Sequence, residues 1–404
     1  MTGLLPVDEA QARLLDGVVA LPAETVPFAS ALGRILAADV VATLTQPPFD
    51  TAAMDGYAIR WADRAGPWRR AGESAAGRGF DGRTGPGETI RILTGAPLPA
   101  GADTVVVQED VVRAKTIDGD IVTLTGDGPP REGAHIRRAG LDFTRGDVVA
   151  KAGERVTPAR IGVAAAAGHA ALPVHRRPRV ALLATGDELV PPGVSPGPSQ
   201  IVSSNGVMLA ALLGAHADVI DAGIVADTRE ALIAAIAAHA DADVLITIGG
   251  ASVGDHDLVQ PVLRDMGASI AFWRVALRPG KPMLAGRLGR ARIVGLPGNP
   301  VSAFVCATLF VVPLLKALGG DPDPMPRTFS ARLGIGLPAN GPRRDYLRAR
   351  LAAGAAAPAS TQDSAMLATL ANSNVLIVRP PLADAIDAGS MVDCIALDTI
   401  SGVA

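Results

Sequence analysis

The chain has 404 residues, which suits two to four domains, and 49% of them are hydrophobic, enough for a substantial core. A formal net charge of −3 gives no ground for a nucleic-acid partner or an anionic membrane surface. The two cysteines, Cys306 and Cys394, lie far apart inside apolar runs and are expected to be buried free thiols in a reducing cytosol, and the 6 histidines show no zinc-site spacing.

The first residues lack a basic segment followed by a long apolar core, so no secretory signal is expected. Residues 7–16 have a short helical pattern with Asp8 and Glu9 in its first turn. The chain then runs through Pro47-Pro48-Phe49-Asp50 to Asp55-Gly56, a turn dipeptide between apolar neighbours. From about 60 to 135, short strand candidates such as 89–93, 104–107 and 121–124 alternate with Gly- and Pro-rich turns, which predicts an all-β insert. Thr94-Gly95-Ala96-Pro97 follows one of those strands directly. Arg137 and Arg138 stand near Asp142, and on their own they read equally as a solvated surface pair.

Residues 177–318 alternate strand and helix. Strands are expected at 179–184, 218–225, 244–248, near 270–277 and at 292–296; helices are expected at 157–167, 204–215, 228–239, 257–266 and from 300. This is the pattern of a doubly wound α/β layer. The apolar segment from Val301 to Leu315 contains Pro313 and stops at Lys316, so it is expected to be too short for a membrane span and to form a buried helix. A Pro- and Gly-rich linker at 319–326 leads to β segments at 328–333, 344–351 and 375–378, a small closing β domain.

Three of the α/β strands end in Gly-containing polar loops: Thr185-Gly186-Asp187-Glu188, Gly249-Gly250-Ala251-Ser252-Val253-Gly254-Asp255, and Pro297-Gly298-Asn299-Pro300-Val301-Ser302. In an open α/β sheet such loops gather at the carboxyl edge, where ligands bind, and free backbone N–H groups at a helix start suit an oxyanion. Any one of them is equally a plain strand-to-helix turn. Asn299 and Pro300 fit the N-cap and first position of the following helix. The acids Asp187, Glu188, Asp227, Asp255 and Asp257 lie at or beside these loops and would repel an anion there. At 4 Å and an effective dielectric of 20, each such pair costs about 4 kcal/mol. A Mg²⁺ ion between carboxylate and phosphate removes the conflict. The basic turn Arg278-Pro279-Gly280-Lys281 offers a second oxyanion site.

These stretches resemble the molybdopterin molybdenumtransferase family (MoeA and the E domain of gephyrin) over nearly the whole chain. The match is carried by residues 49–58, 93–97 with 101–103, 185–189, 249–255, 278–282 and 295–303, in order and spacing. The resemblance implies an α/β plus β multidomain fold: a central doubly wound molybdopterin-binding domain at 177–320, an N-terminal helical/β linker and dimerisation subdomain at 1–50 and 136–176, a β-rich insert at 51–135, and a C-terminal β-barrel-like domain at 327–404. It also implies Mg²⁺-dependent insertion of molybdate into adenylylated molybdopterin, releasing molybdenum cofactor and AMP, by a cytoplasmic homodimer. Molybdopterin adenylyltransferase and cofactor-accepting apoenzymes are the implied protein partners.

Carried over residue by residue, the resemblance gives Asp55, Asp142, Glu188, Asp227 and Asp255 catalytic roles, with Asp255, Glu188 and Asp227 toward the metal. Thr94, Arg137, Gly249, Gly250, Ser252, Pro297, Gly298, Asn299 and Ser302 would bind substrate, and Arg278, Lys281, Arg348 and Ser364 would bind molybdate. The chain departs from the family at Thr51-Ala52, where Asn-Ser is common, at Ser203, where Asp is common, and at Arg274 and Arg278, where Lys is usual. Arginine keeps the charge but presents a bulkier, fixed fork. Two alternative readings are an enzyme of the molybdopterin adenylyltransferase type, from the α/β segment alone, and a gephyrin-like scaffold. The retained N-terminal motif and C-terminal β domain argue against the first, and the retained acids against the second.

Overall fold

The structure, a computed structural model, describes residues 4–117, 119–250 and 258–397. It divides into two compact units, Met1–Glu24 with His175–Ala404, and Thr25–Val174.

In the first unit a six-stranded sheet runs in the order Asp218–Val225, Arg179–Thr185, Val244–Ile248, Ala291–Leu296, Pro282–Leu288, Ser269–Arg274. The first four strands are parallel, Pro282–Leu288 runs antiparallel to both its neighbours, and Ser269–Arg274 returns to the direction of the first four. The central strands are apolar almost throughout because both faces are covered. Val180, Leu182, Ile246 and Val294 share one core with Leu209, Leu213, Val301 and Phe310, while Ala181, Leu183, Leu245 and Ile293 pack with Leu232, Ile236, Val259 and Val262 on the other face. That alternation follows the two-residue repeat of the strand.

The sequence reading missed the Pro282–Leu288 strand. It is joined to Ala291–Leu296 by a two-residue turn in which Gly289 has a φ of +56°, a hairpin connection that needs a residue tolerant of positive φ. The expected strand near 270–277 stops at Arg274. The apolar segment after Asn299 also differs from expectation, because one continuous helix runs Pro300–Leu318, 19 residues, long and apolar enough to cross a membrane by length alone. Its residues are 72% buried inside the protein, which marks a core helix. Pro313 lacks an N–H and would crowd the carbonyl one turn back; the helix absorbs this by widening to a π turn over Ala307–Val311.

The C-terminal segment closes into a barrel. Arg344–Ala352 pairs with both Ala355–Pro358 and Val375–Arg379, and Thr328–Leu333 and Met391–Ala396 complete the ring. Closure removes free sheet edges. The helix Val7–Leu15 buries Val7, Ala10 and Leu14 in the α/β core. Its Asp8 carboxylate meets Arg344, at the start of the barrel strand Arg344–Ala352, through two hydrogen bonds, 2.5 and 2.8 Å.

The second unit is built on a six-stranded sheet ordered Thr104–Val107, Gly56–Ile59, Glu88–Ile92, Trp68–Ser74, Gly119–Leu124, Val111–Thr116. Ala58, Ile90, Ile92 and Val105 fill one side, and Tyr57, Ile59, Trp68 and Val122 the other. The helix Pro158–Ala166, capped by the Thr157 hydroxyl on Arg160 N–H, packs over a separate small core of Leu36, Val40, Leu172 and Val174.

Arg344 holds the Asp8 carboxyl below the usual carboxylate range. Asp8 is largely exposed, with 71% of its side chain accessible, so screening keeps the pair small. Asp8→Asn is expected to cost at most about 1 kcal/mol at neutral pH in urea unfolding. Because the folded pKa is depressed, this stabilisation is present above the unfolded carboxylate value and is lost as pH falls through the folded one. The difference between wild type and Asp8→Asn should therefore vanish in acid; a difference that persists there would mean the loss is packing.

Candidate active site

The chain leaves Arg179–Thr185 in one direction and Val244–Ile248 in the other, so the sheet's switch point lies between their carboxyl ends. A cavity of about 670 Å³ opens there. It is lined by Thr185, Gly186 and Glu188, by Asp227, by Gly249 and Gly250, and by Pro297, Gly298 and Asn299. All three glycine loops expected from the sequence therefore converge on one cavity. Gly249 and Gly250 have φ of +87° and +60°, and a Cβ on Gly249 would sit 2.7 Å from the Thr185 carbonyl oxygen. Only glycine lets the backbone come that close.

Asn299 occupies the N-cap position of the long helix, with Pro300 following, but its side chain makes no cap hydrogen bond. Its Nδ2 donates instead to Ser364 Oγ at 3.0 Å. Val301 N–H donates to the Ser364 carbonyl at 3.0 Å, while the N–H groups of Gly298, Asn299 and Ser302 have no acceptor among the described residues. The helix start thus presents unused donors and the positive end of its dipole to the cavity. The Ser302 side chain is buried and does not line the cavity.

Two carboxylates, Glu188 and Asp227, share this wall. Glu188 folds back over Gly186, where a Cβ would lie 2.6 Å from its Oε2. Thr185 Oγ1 donates to Asp227 Oδ1 at 3.3 Å, and Asp187, which was not among the expected site residues, accepts the Asp227 N–H at 3.2 Å. Ser203, Ser204 and Asn205 also line the cavity, and Asn205 Nδ2 reaches the Gly298 carbonyl at 2.6 Å. The signal for these residues was a run of three short polar side chains opening a helix. Ser252 and Asp255 lie outside the described residues.

The expected oxyanion residues do not form one free cluster. Lys281 is exposed and its ammonium has no partner among the described residues. Arg278 is ion-paired with the buried Asp345, beside which it sits in register. Arg348 is only 1% exposed and donates to the Thr361 and Met366 carbonyls at 3.3 and 3.1 Å. Burial pushes its pKa down, with Asp363 partly compensating. Its guanidinium is thus engaged with the backbone at both ends of the loop that carries Ser364. The spacing of charges along a strand says nothing about which face is covered.

In the other unit, the recognised stretches 49–58 and 93–97 meet the Arg137 segment at the short strand Thr51–Ala52. It pairs with Ile136–Arg137 and with Pro97, and the Ala52 carbonyl accepts from Gly95 N–H. Thr94 donates from both N–H and Oγ1 to Asp55 Oδ1, each at 2.7 Å, which holds the Asp55 carboxyl below its usual range. A cavity of about 400 Å³ beside them is lined by Arg137, Asp142, Thr51 and Gly95. Arg138 is spent on Asp50 at 2.6 Å, while the Arg137 guanidinium has no partner among the described residues. The two adjacent arginines thus differ: one is structural, the other available.

A switch-point cavity with helix-start donors and acids is the ligand site of an open α/β sheet. The MoeA N-terminal region (domains I and II) matches residues 5–168, the probable molybdopterin-binding domain residues 181–317, and the MoeA C-terminal region (domain IV) residues 330–397. The chain is 38% identical to the molybdopterin molybdenumtransferase of Haemophilus influenzae, over 85% of each chain, and 32% identical to that of Staphylococcus aureus, over 98% of this chain and 96% of that one. Its structure is similar to that of the molybdopterin biosynthesis MoeA protein of Pyrococcus horikoshii, with a TM-score of 0.82, 31% identity and coverage of 98% and 99%. The chain belongs to the molybdopterin molybdenumtransferase family.

Gly249→Ala tests the close approach. Gly267 has a nearly equal φ of +89° with open space around its missing Cβ, whereas Gly249 would meet the Thr185 carbonyl. Both alanine variants carry left-handed strain of about 1–2 kcal/mol. Gly249→Ala is expected to lose more than Gly267→Ala in denaturant unfolding, and to lose AMP binding by calorimetry. Equal losses with AMP binding intact would show that the glycine serves only the turn.

Proposed function

We propose that the protein catalyses Mg²⁺-dependent insertion of molybdenum from molybdate into adenylylated molybdopterin, with release of AMP, as a cytoplasmic homodimer. Family membership supports the transferase reaction. The observation that carries the substrate class is the switch-point cavity, lined by Glu188 and Asp227 and by the helix-start residues Gly298 and Asn299, whose N–H groups have no acceptor among the described residues. The donors suit a phosphate or adenylate oxygen.

The carboxylates suit the hard cation that such a phosphate brings. Mg²⁺ is usually held by one or two carboxylates plus phosphate oxygens, so a site without a dedicated ligand cage fits it. Among the described residues no group of three or more metal-ligating side chains occurs. Glu188 and Asp227, with Asp255, would hold the ion, which supplies charge neutralisation at the phosphoryl group. Gly249 and Gly250 keep the floor open for the ligand backbone. Lys281 and the outer face of Arg278 receive the second oxyanion, molybdate, with Ser364 nearby. Asp55, kept ionised by Thr94, and Arg137 and Asp142 are also assigned to the reaction. No covalent nucleophile is required; positioning and electrostatics carry the rate.

The decisive assay incubates the protein with adenylylated molybdopterin, Mg²⁺ and molybdate and follows AMP release and active cofactor. Molybdate-dependent AMP release is expected, reduced by about 10²–10³ in Asp227→Asn, the scale of losing one preorganised electrostatic group. Tight AMP binding without turnover would sink the enzyme reading. Faster turnover with tungstate would keep the reaction and reassign the metal.

A further inference from the structure

We propose that a separate anion site lies at the amino edge of the α/β sheet, where Arg287 and Arg292 bind the phosphate group of a small phosphomonoester. It does not depend on what the switch-point cavity binds.

A cavity of about 390 Å³ opens between the carboxyl end of the Val7–Leu15 helix and the strands Ser269–Arg274, Pro282–Leu288 and Ala291–Leu296. Arg292 is at the start of the last strand, and the glycine cavity is at that strand's far end, about 17 Å away at 3.3 Å per residue. Arg13, Asp16, Ser269, Arg287 and Arg292 supply the polar side chains of the lining. Arg292 is 8% exposed and donates to the Leu14 and Asp16 carbonyls at 3.2 and 2.9 Å. Arg287 donates to the same Asp16 carbonyl at 2.6 Å. Neither guanidinium has a carboxylate partner among the described residues. Arg13 differs, because Glu9 takes its guanidinium at 2.6 Å.

Two cations on one carbonyl are more than a helix end needs. An arginine beside the last turn commonly caps its free carbonyls, and Arg292 alone would do so. Arg287 adds repulsion: burial and the charge of Arg287 push the Arg292 pKa down, with Asp16 opposing them. An anion between the two relieves it. Each guanidinium carries five N–H donors, of which Arg287 spends one on the protein and Arg292 two. The remaining donors suit phosphate oxygens, which arginine forks match in geometry. The Ser269 hydroxyl has no partner among the described residues and adds one more donor. Gly17 leaves room for the cluster, since with its φ of +58° a Cβ there would lie 3.1 Å from Arg287 Nη2.

The volume suits a small molecule rather than a bare ion. A phosphomonoester carries close to two negative charges at neutral pH, as many as the two unpaired guanidiniums offset. Asp16, which is exposed, is the one acid in the lining and opposes the ligand.

The test titrates ribose 5-phosphate and inorganic phosphate by calorimetry at fixed ionic strength into wild type, Arg287→Gln and Asp16→Asn. Hydrogen exchange locates the bound ligand. Wild type is expected to bind the ester more tightly than the ion, with slower exchange at 14–18 and 286–292. Arg287→Gln should weaken ester binding at least about tenfold, the worth of one charge-assisted hydrogen bond. Asp16→Asn keeps the backbone carbonyl and removes the opposing charge, so it should tighten binding by about threefold, the scale of one exposed charge pair. Arginines that only cap the helix would change stability in these variants and leave phosphate affinity alone.

Ligand-dependent protection confined to 298–302, or no protection anywhere, would overturn the site. Affinities unchanged in both variants would overturn it too. Inorganic phosphate bound as tightly as the ester would overturn the organic ligand and leave a site for the ion alone.

Discussion

The first unit depends on one close contact, the backbone of Gly249 against the carbonyl of Thr185. Two parallel strands side by side bring their carboxyl ends within a few ångströms, and each must then turn away from the other. A side chain on either turn would force the loops apart and fill the space between them. Glycine at 249 and 250 leaves that space open, and the cavity is what remains. The third loop, Pro297 to Asn299, can then approach from the next strand, where a Cβ on Gly298 would lie 3.8 Å from the Gly249 Cα.

The cavity combines features that are unfavourable when empty and complementary when filled. Unused N–H groups and a helix dipole favour negative charge, while Glu188 and Asp227 oppose it. Neither set is stabilised by the other, because Asp227 is oriented by Thr185 and Asp187 rather than by a basic side chain. An anion alone meets repulsion and a cation alone meets the dipole. A phosphate with its own divalent cation satisfies both. Arg137 and Arg138 in the other unit differ in the same way: Arg138 is paired with Asp50, while the Arg137 guanidinium has no partner among the described residues.

Much of the α/β layer was legible in the sequence, because a buried parallel strand is a short apolar run and its loops are marked by glycine. Val244–Ile248 falls where the run of β-branched residues puts it. Pro282–Leu288 was obscured because it follows directly on a basic turn and opens with proline. The barrel strand Met391–Ala396 alternates exposed and buried positions at its start, a weaker pattern that needs its partners to stand out. Convergence of the glycine loops was legible through the topology of such sheets. Ser203 to Asn205 stood out only through the family pattern, where Asp is common at 203, since small polar residues at a helix start are commonplace as caps.

Arg278 and Arg348 show why residue type could not decide the basic site. Both were expected to meet an oxyanion. Arg278 is half exposed and paired with a buried Asp345, so its charge is neutralised on the inner side and its remaining donors face outward. Arg348 is buried with carbonyls for partners. A buried guanidinium bonded to no carboxylate is costly unless its donors are spent on geometry. Here they join the two ends of one loop. Such a charge holds backbone in place.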